Sequence, residues 1–487
     1  MQILTNGAGE SASYTYDKDG RVTSVTISRE ENGKTLTFTS TYAYNKAGDM
    51  IESVDNAGNV TTYEYDDNGN QTAAVDSKGR RFTYDYDDQG NLIKTTYPDG
   101  TFETFAYDAN GNNTKATDRS GLTVNMTYDK LDRMTEKKYA DGTKESYTYD
   151  AVGNVTEQVS TSGAKTTYAY DERNRNTSIT DTYGNVTNFT YDEAARLTAR
   201  IDAAGNTTSY AYDDNGNITK TTYADGNSVT SEYDARNRVT RQKDQYGNET
   251  IYAYDGADRL TSVTDAYGNS YSYDYDDNGN LVTVTDAEEH VTRYTYDAVG
   301  RVEKVINALG KTMEYTYDET GNLTSFKDYA GTVTDYVYDG MDRMTKKTIG
   351  KDVTEYAYNT GLLLKVTEES GTIQYAYDKY DRLVKQTDAK GVTLTYTYDE
   401  AGRLHTFDNG FGKTTYEYDL LDRVPRVIDR NGKSTVYEYD AIGNRSAVRY
   451  PNGNEVTYVG EDDIPNLEVS DMEVYWGILG QLQNKIL

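Results

Sequence analysis

The chain of 487 residues has no cysteine, four prolines, two histidines and one tryptophan. Without cysteine there is no disulfide, no thiolate zinc site and no cysteine nucleophile. With His290 and His405 standing 115 residues apart, a histidine-rich metal centre or a histidine relay is excluded as a design. No apolar run approaches the length of a membrane span. Met1–Glu10 has neither the basic nor the apolar region of a signal peptide. Lys and Arg total 50 against 80 Asp and Glu, a formal charge of -30 that repels nucleic-acid phosphates. Phe is scarce too, at 8 residues, whereas Tyr reaches 50. A conventional core is filled by Leu, Ile, Val and Phe, so burial here has to be of another kind.

The tyrosines are periodic. Tyr-Asp, or its variant Tyr-Asn, occurs with Tyr at 16, 44, 65, 86, 107, 128, 149, 170, 191, 212, 233, 254, 275, 296, 317, 338, 358, 377, 398, 418 and 439, which makes 21 units. From Tyr44 to Tyr338 the spacing is 21 residues without exception. The first unit is longer by seven residues, around Arg29–Gly33, and after Tyr338 the spacing varies between 19 and 21. A weak echo stands at Tyr458. Two residues before each Tyr-Asp is a second Tyr, replaced only at Phe105, Met126, Phe189 and Ser231, so the motif supplies 38 of the 50 Tyr.

One unit reads as a β-hairpin. In Arg259–Asp276, the Thr- and Val-rich Leu260–Thr264 suits a strand. Asp265 to Gly268 has the signature of a type I turn closed by a left-handed residue. Ser270–Tyr275 returns, with Tyr271, Tyr273 and Tyr275 on one face. A second turn, Asp276 to Gly279, leads to the next unit, as Asp202–Gly205 and Asp213–Gly216 do in an earlier one. Where Gly is missing from the turn, Asn174, Asn237, Asp132, Asp258, Asp342, Asp381 or Asp422 replaces it, the residues most tolerant of positive φ. Ala195 and Glu289 depart from that rule. Pro98 and Pro451 take the second turn position, where a fixed φ helps.

The expected fold is all-β: tandem 21-residue hairpins forming a long antiparallel ribbon of about 42 strands at ~4.8 Å spacing, roughly 200 Å long and ~20 Å wide, curled into an open shell or spiral barrel. The expected organisation is a lead-in over 1–10, an array over 11–458 and a divergent tail over 459–487. Two Tyr ladders are expected along one face: Tyr63 and Tyr65, Tyr84 and Tyr86, Tyr147 and Tyr149, Tyr168 and Tyr170, Tyr210 and Tyr212, Tyr252 and Tyr254, Tyr273 and Tyr275, Tyr294 and Tyr296. Rings stacked across strands are expected to stabilise the sheet by ~0.2–1 kcal/mol per pair, with the phenol tips left wet. The structural turn residues are Asp202, Gly205, Asp213, Gly216, Asp265, Gly268, Asp276 and Gly279.

At Tyr-x-Tyr-Asp and Asp-x-x-Gly-Asn/Arg, with clear units at Gly205–Asp213 and Gly300-Arg301-Val302, the sequence resembles the RHS or YD-repeat family over about residues 11–458. Members include bacterial polymorphic toxins, toxin-complex subunits, wall-associated proteins and teneurins. The resemblance implies a β-ribbon wound into a hollow shell, which in the bacterial toxins encloses a C-terminal toxic domain. It also implies a secreted or cell-surface location, with the remainder of a larger RHS polypeptide or an encapsulated effector as partner. Two features depart from the toxin pattern. There is no Asp-Pro of the self-cleavage motif, and no domain-sized cargo follows the repeats. The chain is therefore expected to be a repeat block of a larger protein, or an incomplete frame of one.

No catalytic, cofactor or metal residue stands out, because every unit carries the same carboxylates. Asp66–Asn70, Asp213–Asn217 and Asp276–Asn280 look like calcium loops, but Gly is fourth and not sixth, and a turn accounts for the residues. The acidic charge is expected along the two rims, as turn chemistry. Exposed Tyr rows could stack on sugars, so a glycan-binding adhesin is the alternative function and glycan an alternative partner. A β-propeller is disfavoured because the period is 21 and not 42. In the tail, Ser470 to Glu473 reads as a capping box, and Met472, Tyr475, Trp476, Leu479, Leu482 and Ile486 follow helical spacing despite Gly477 and Gly480. The tail is either a helix that plugs the open end of the ribbon or an unrelated terminus.

Overall fold

The computed structural model describes residues 2–5, 11–31, 34–276 and 278–458. They form 44 strands in one sheet. Each strand pairs antiparallel with its neighbours in the chain, from Gln2–Thr5 with Ser11–Tyr16 to Arg445–Arg449 with Glu455–Thr457. The first and last strands do not pair with each other among the described residues, so the sheet is an open meander. Gln2–Thr5, within the lead-in, is already the first strand. A further hairpin, from Arg445 to Thr457, follows the last Tyr-Asp. The segment 459–487, with its expected helix, lies outside the described residues.

The local rules are those of the sequence. Five-residue strands such as Leu197–Ile201 alternate with six-residue strands such as Thr207–Tyr212. The seven extra residues in the first unit lengthen a hairpin, whose strands run Val22–Glu31 and Lys34–Tyr44. The shorter spacing after Tyr338 has an equally local cause. Ile349 pairs directly with Asp352, and Asn359 with Leu362, so two-residue loops replace the longer turns.

Each Asp-x-x-Gly turn closes in the same way. The Asp202 N–H donates to Asn206 O (3.0 Å) and the Gly205 N–H to Asp202 O (3.0 Å). Gly205 sits at φ 87° and Gly216 at φ 89°. The geometry is imposed even where the sequence resists it: Ala195 and Glu289 both adopt φ 65°, a conformation that costs an L-residue roughly 1–2 kcal/mol. At nearly every Tyr-Asp the register shifts by one residue, as between Ala211 and Tyr212, a repeated bulge that bends the ribbon.

The bending brings distant turns together. Consider the turns that follow Tyr-Asp as the Tyr-Asp rim, and the other set as the opposite rim. The opposite rim of the first half meets the Tyr-Asp rim of the second half. Lys78 reaches Asp318 (2.7 Å) and Asp342 (3.3 Å), and Arg80 reaches Asp342 (2.6 Å). Asn56 donates to Ala298 O, Ser162 Oγ to Leu420 O (3.0 Å), and the Leu420 N–H to the Tyr183 hydroxyl (3.1 Å). The partners are 237 to 264 residues apart. A coil of about 240 residues is about 23 strands, and at ~4.8 Å per strand its circumference is ~110 Å and its diameter ~35 Å. The described ribbon thus completes nearly two coils joined along one seam. Among the described residues, burial is confined to a few small side chains, namely Ala73, Ala164, Val305, Val366, Ala447, Val448, Thr334 and Thr406. The wall is one sheet thick.

Candidate functional site

The repeated element is a knot of three residues on the Tyr-Asp rim. In most motifs the second Tyr donates its hydroxyl to a backbone carbonyl 15 residues earlier, or 14 earlier at Tyr358, Tyr377 and Tyr418. Tyr65 bonds Met50 O (2.9 Å), Tyr86 bonds Gln71 O (3.0 Å), Tyr149 bonds Met134 O (2.6 Å) and Tyr170 bonds Val155 O (2.8 Å). Tyr212 bonds Leu197 O (2.7 Å), Tyr254 bonds Val239 O (2.9 Å) and Tyr296 bonds Leu281 O (2.7 Å). Those carbonyls lie where the ladder between adjacent strands has opened: regular pairing of Leu197–Ile201 with the next strand ends at Ala199. The phenol supplies the donor that the ladder no longer provides.

The first Tyr of the motif is held less uniformly. Tyr63 meets Ser53 Oγ (3.3 Å), Tyr147 donates to Glu145 (2.8 Å) and Tyr168 to Gln158 (3.3 Å). Tyr84, Tyr210, Tyr252, Tyr273 and Tyr294 are half-buried on the same face, where Tyr210 stands opposite Thr221 and Tyr294 opposite Val305. Phe, Met and Ser can occupy this position because no conserved bond depends on it.

The Asp of Tyr-Asp organises its own turn. Asp213 Oδ1 accepts the N–H groups of Asn215 and Asn217 (both 2.9 Å), and Oδ2 accepts Asn217 Nδ2 (2.8 Å). These bonds, led by those of Asn217, hold its carboxyl below the ordinary range. Asp202, Asp265 and Asp276 bind Asn206, Asn269 and Asn280 in the same way, and Gly268 and Gly279 close their turns at φ 85° and 84°. His290 stands in for such an Asn, its Nδ1 lying 3.1 Å from Asp286.

Where Arg replaces that Asn, it ties consecutive units together. Arg196 Nε donates to Asp192 (2.7 Å) and Nη1 to Asp213 O (2.9 Å), and its guanidinium covers the Tyr212 ring at 4.8 Å. Arg133 over Tyr149, Arg175 over Tyr191, Arg238 over Tyr254, Arg259 over Tyr275 and Arg301 over Tyr317 repeat the arrangement at 4.5 to 5.0 Å. This differs from the ring-on-ring ladders expected from the sequence, and the reason is metric. Equivalent tyrosines lie two strands apart, ~9.6 Å, beyond stacking distance. Ring pairs do form at Phe82–Tyr97, Tyr315–Phe326 and Tyr396–Phe407. A ring face already covered by a guanidinium offers no platform for a sugar, so this geometry does not favour the glycan reading.

The seam is the part of the rims where charge works between coils. Burial tends to raise the Asp318 carboxyl, but hydrogen bonds from Lys78 and Asn322 outweigh it and hold the group far below the carboxylate range. Burial likewise opposes ionisation of Asp342, and Arg80 and Asn322 reverse the effect. Rim acids are thus turn-formers in one coil and partners for cations of the next. Among the described residues no cluster of three His, Cys, Asp or Glu is placed to hold a metal, and no helix is long and apolar enough to cross a membrane.

A meander of Tyr-Asp hairpins, coiled rim against rim, defines a β-shell protein. The family model described as Teneurin YD-shell matches residues 70–198 and 283–415, and that described as RHS Repeat matches 44–81, 191–228, 233–270 and 418–455. The chain belongs to the RHS/YD-repeat family. No curated protein sequence matches it. Among solved structures it is similar to TcdB2-TccC3-TEV, with a TM-score of 0.66 and 14% identity over 94% of this chain and 30% of that one. TcdB2-TccC3 without its hypervariable C-terminal region gives a TM-score of 0.64 at 13% identity, over 94% and 31%. The Tc holotoxin pore of Photorhabdus luminescens gives 0.57 at 15%, over 93% and 31%. The chain therefore spans about a third of the length of these structures.

Proposed function

We propose that the chain is a non-catalytic wall segment of a secreted or surface-exposed bacterial RHS-type protein, and that the wall encloses or presents another stretch of polypeptide, such as an effector. The observation that carries this reading is the seam: a single-layer ribbon whose opposite rims bond across about 240 residues is built to surround a volume. Residues 11–458 act as one wall, and 459–487 as a separate element. The knots support the same reading, because they spend the tyrosine hydroxyls, the ring faces and the turn carboxylates on the wall itself.

Small-angle scattering of the purified chain tests the shape. A hollow coil ~35 Å across is expected, and a Lys78→Ala/Arg80→Ala variant should loosen the seam and raise the radius of gyration. A rod of ~200 Å or a solid globule would refute the coil. Limited proteolysis of the natural polypeptide that carries this block tests the enclosure. A segment outside the repeats should resist protease until the wall is unfolded; immediate digestion would refute a protective role.

A further inference from the structure

A ligand site in an array of equal units needs a place where the repeat is broken, and the seam has one. On the Tyr-Asp rim a turn of five residues ordinarily separates the paired strand ends, as between Tyr212 and Ile218. At Tyr358 the ladder runs on to Asn359 and Leu362, and only Thr360 and Gly361 turn the chain. The rim lacks its usual Asp turn there, and a neighbouring side chain registers the loss. Arg196 donates Nη1 to the carbonyl of the next Tyr-Asp turn. Arg343, one unit before the short loop, keeps Nη1 buried without a partner among the described residues. The offset of 240 residues between Lys78 and Asp318, carried along the seam, sets the turn Asp118–Gly121 opposite this loop.

At this break the two coils leave a cavity of about 440 Å³, within the roughly 300–1,000 Å³ of ordinary ligand pockets. Its walls are mainly apolar: Phe105, Ala116, Leu122, Val124 and Tyr139 from the first coil, and Tyr380 from the second. Two of these depart from the repeat. Phe105 stands where 17 of the 21 units have Tyr, so its ring brings no hydroxyl. Leu122 stands where Asn206 and Asn269 donate to the carboxylates of their own turns. Asp118 accepts the N–H groups of Ser120 and Leu122 on Oδ1 (both 2.9 Å), and its Oδ2 has no hydrogen-bond donor among the described residues. Asp141, also in the lining, accepts Thr143 N and Oγ1 on Oδ1 (3.0 and 2.7 Å), and its Oδ2 likewise has none. Lys137 and Arg382 lie over the rings of Tyr139 and Tyr380 at 4.7 and 4.9 Å. The ring faces are thus partly taken, and the lining carboxylates, Glu103 included, remain for a polar contact.

We propose that this cavity binds an aromatic ring with an ammonium a few bonds away, brought by a small amine or by adjacent aromatic and basic residues of a polypeptide. The apolar walls take the ring. Asp118 and Asp141, which when ionised only accept hydrogen bonds, take the ammonium. The same carboxylates, with the formal charge of -30 behind them, turn anions away. The site goes beyond the wall function and is independent of what the wall surrounds.

Saturation-transfer difference NMR on the full chain reads binding directly. 2-Phenylethylamine should receive saturation, most strongly at its ring protons, and 3-phenylpropanoate should receive none. Leu122→Asn offers Asp118 the donor usual in other turns, and Phe105→Tyr sets a hydroxyl on an apolar wall. Both variants restore residues that the array already accommodates, so both should fold, and both should weaken the amine. Asp118→Asn should weaken it about tenfold, through loss of one charge-assisted bond. Asp388→Asn, at a turn where Val392 likewise replaces Asn, lies outside the cavity lining and should change nothing. The dipeptide N-acetyl-phenylalanyl-lysine amide separates the two sources: tighter binding than the amine assigns the site to a polypeptide, weaker binding to a small amine. Equal saturation of the amine and the carboxylate would overturn the proposal. So would no saturation of either amine or dipeptide, or an unchanged amine affinity in both Leu122→Asn and Asp118→Asn.

Discussion

The two tyrosines of one motif should respond very differently to loss of a hydroxyl. Tyr212 donates to Leu197 O at 2.7 Å, whereas among the described residues the Tyr210 hydroxyl has no protein partner. Tyr→Phe keeps the ring, its contacts and, at position 212, the overlying Arg196. It removes one hydrogen bond and leaves a part-buried carbonyl with at most water. A net hydrogen bond contributes about 0.5–1.5 kcal/mol, and an orphaned acceptor raises the loss toward the upper figure. Tyr212→Phe should therefore destabilise its unit by about 1 kcal/mol, and Tyr210→Phe by less than about 0.5 kcal/mol. In an array stability is local, so the measurement is native-state hydrogen exchange, with faster exchange confined to residues around 197–222. Replacing Tyr170, Tyr191, Tyr212 and Tyr254 together should lower the denaturant midpoint, with losses summing nearly additively because the sites do not share a contact. Equal effects of Tyr212→Phe and Tyr210→Phe would refute the idea that the hydroxyl repairs an opened ladder.

Arg301→Ala removes the bonds to Asp297 and Asp318 O and the cover of Tyr317. It should cost about 1–2 kcal/mol, and Arg301→Lys should recover only part of this in a thermal melt. Ala195→Gly relieves a non-glycine residue at φ 65° and should stabilise its turn by about 0.5–1 kcal/mol, read as slower exchange there. Alkali should weaken the wall. Burial, then the bond to Glu145, push the Tyr147 phenol up to about 12, and burial pushes Tyr396 up to about 12. Because the folded values exceed the ordinary 10, this stability is complete below pH 10 and lost as pH rises toward 12. Denaturant midpoints should fall across that window, in step with phenolate absorbance.

Much of the wall was legible in the sequence because a hairpin is a local object. Asp265 and Gly268 announce a turn, Leu260–Thr264 a strand, and the fixed interval their repetition. What tied one unit to the next was harder to read. Arg196 follows its Gly position as Asn217 does, and composition does not say that the Arg crosses to the following unit while the Asn stays within its own turn. A clue was present: Tyr212 and its equivalents never change, whereas Tyr210 has counterparts in Phe189 and Ser231. A position that tolerates Phe, Met and Ser makes no fixed hydroxyl bond; one that is always Tyr does. The seam was not legible at all, since Lys78 and Asp318 become neighbours only through a curvature summed over many bulges.

Strict pairing of each strand with its neighbours in the chain has a kinetic consequence. Almost every contact is short in sequence, and such topologies fold quickly because little loop-closure entropy precedes each gain. A hairpin can be completed as soon as its 21 residues are available, without waiting for the rest of the chain. During synthesis or passage in an extended form, the wall can grow one unit at a time from its amino-terminal end. The seam alone has to wait for a second coil, so its substitutions should alter how tightly the coil closes and leave the rate of hairpin formation unchanged.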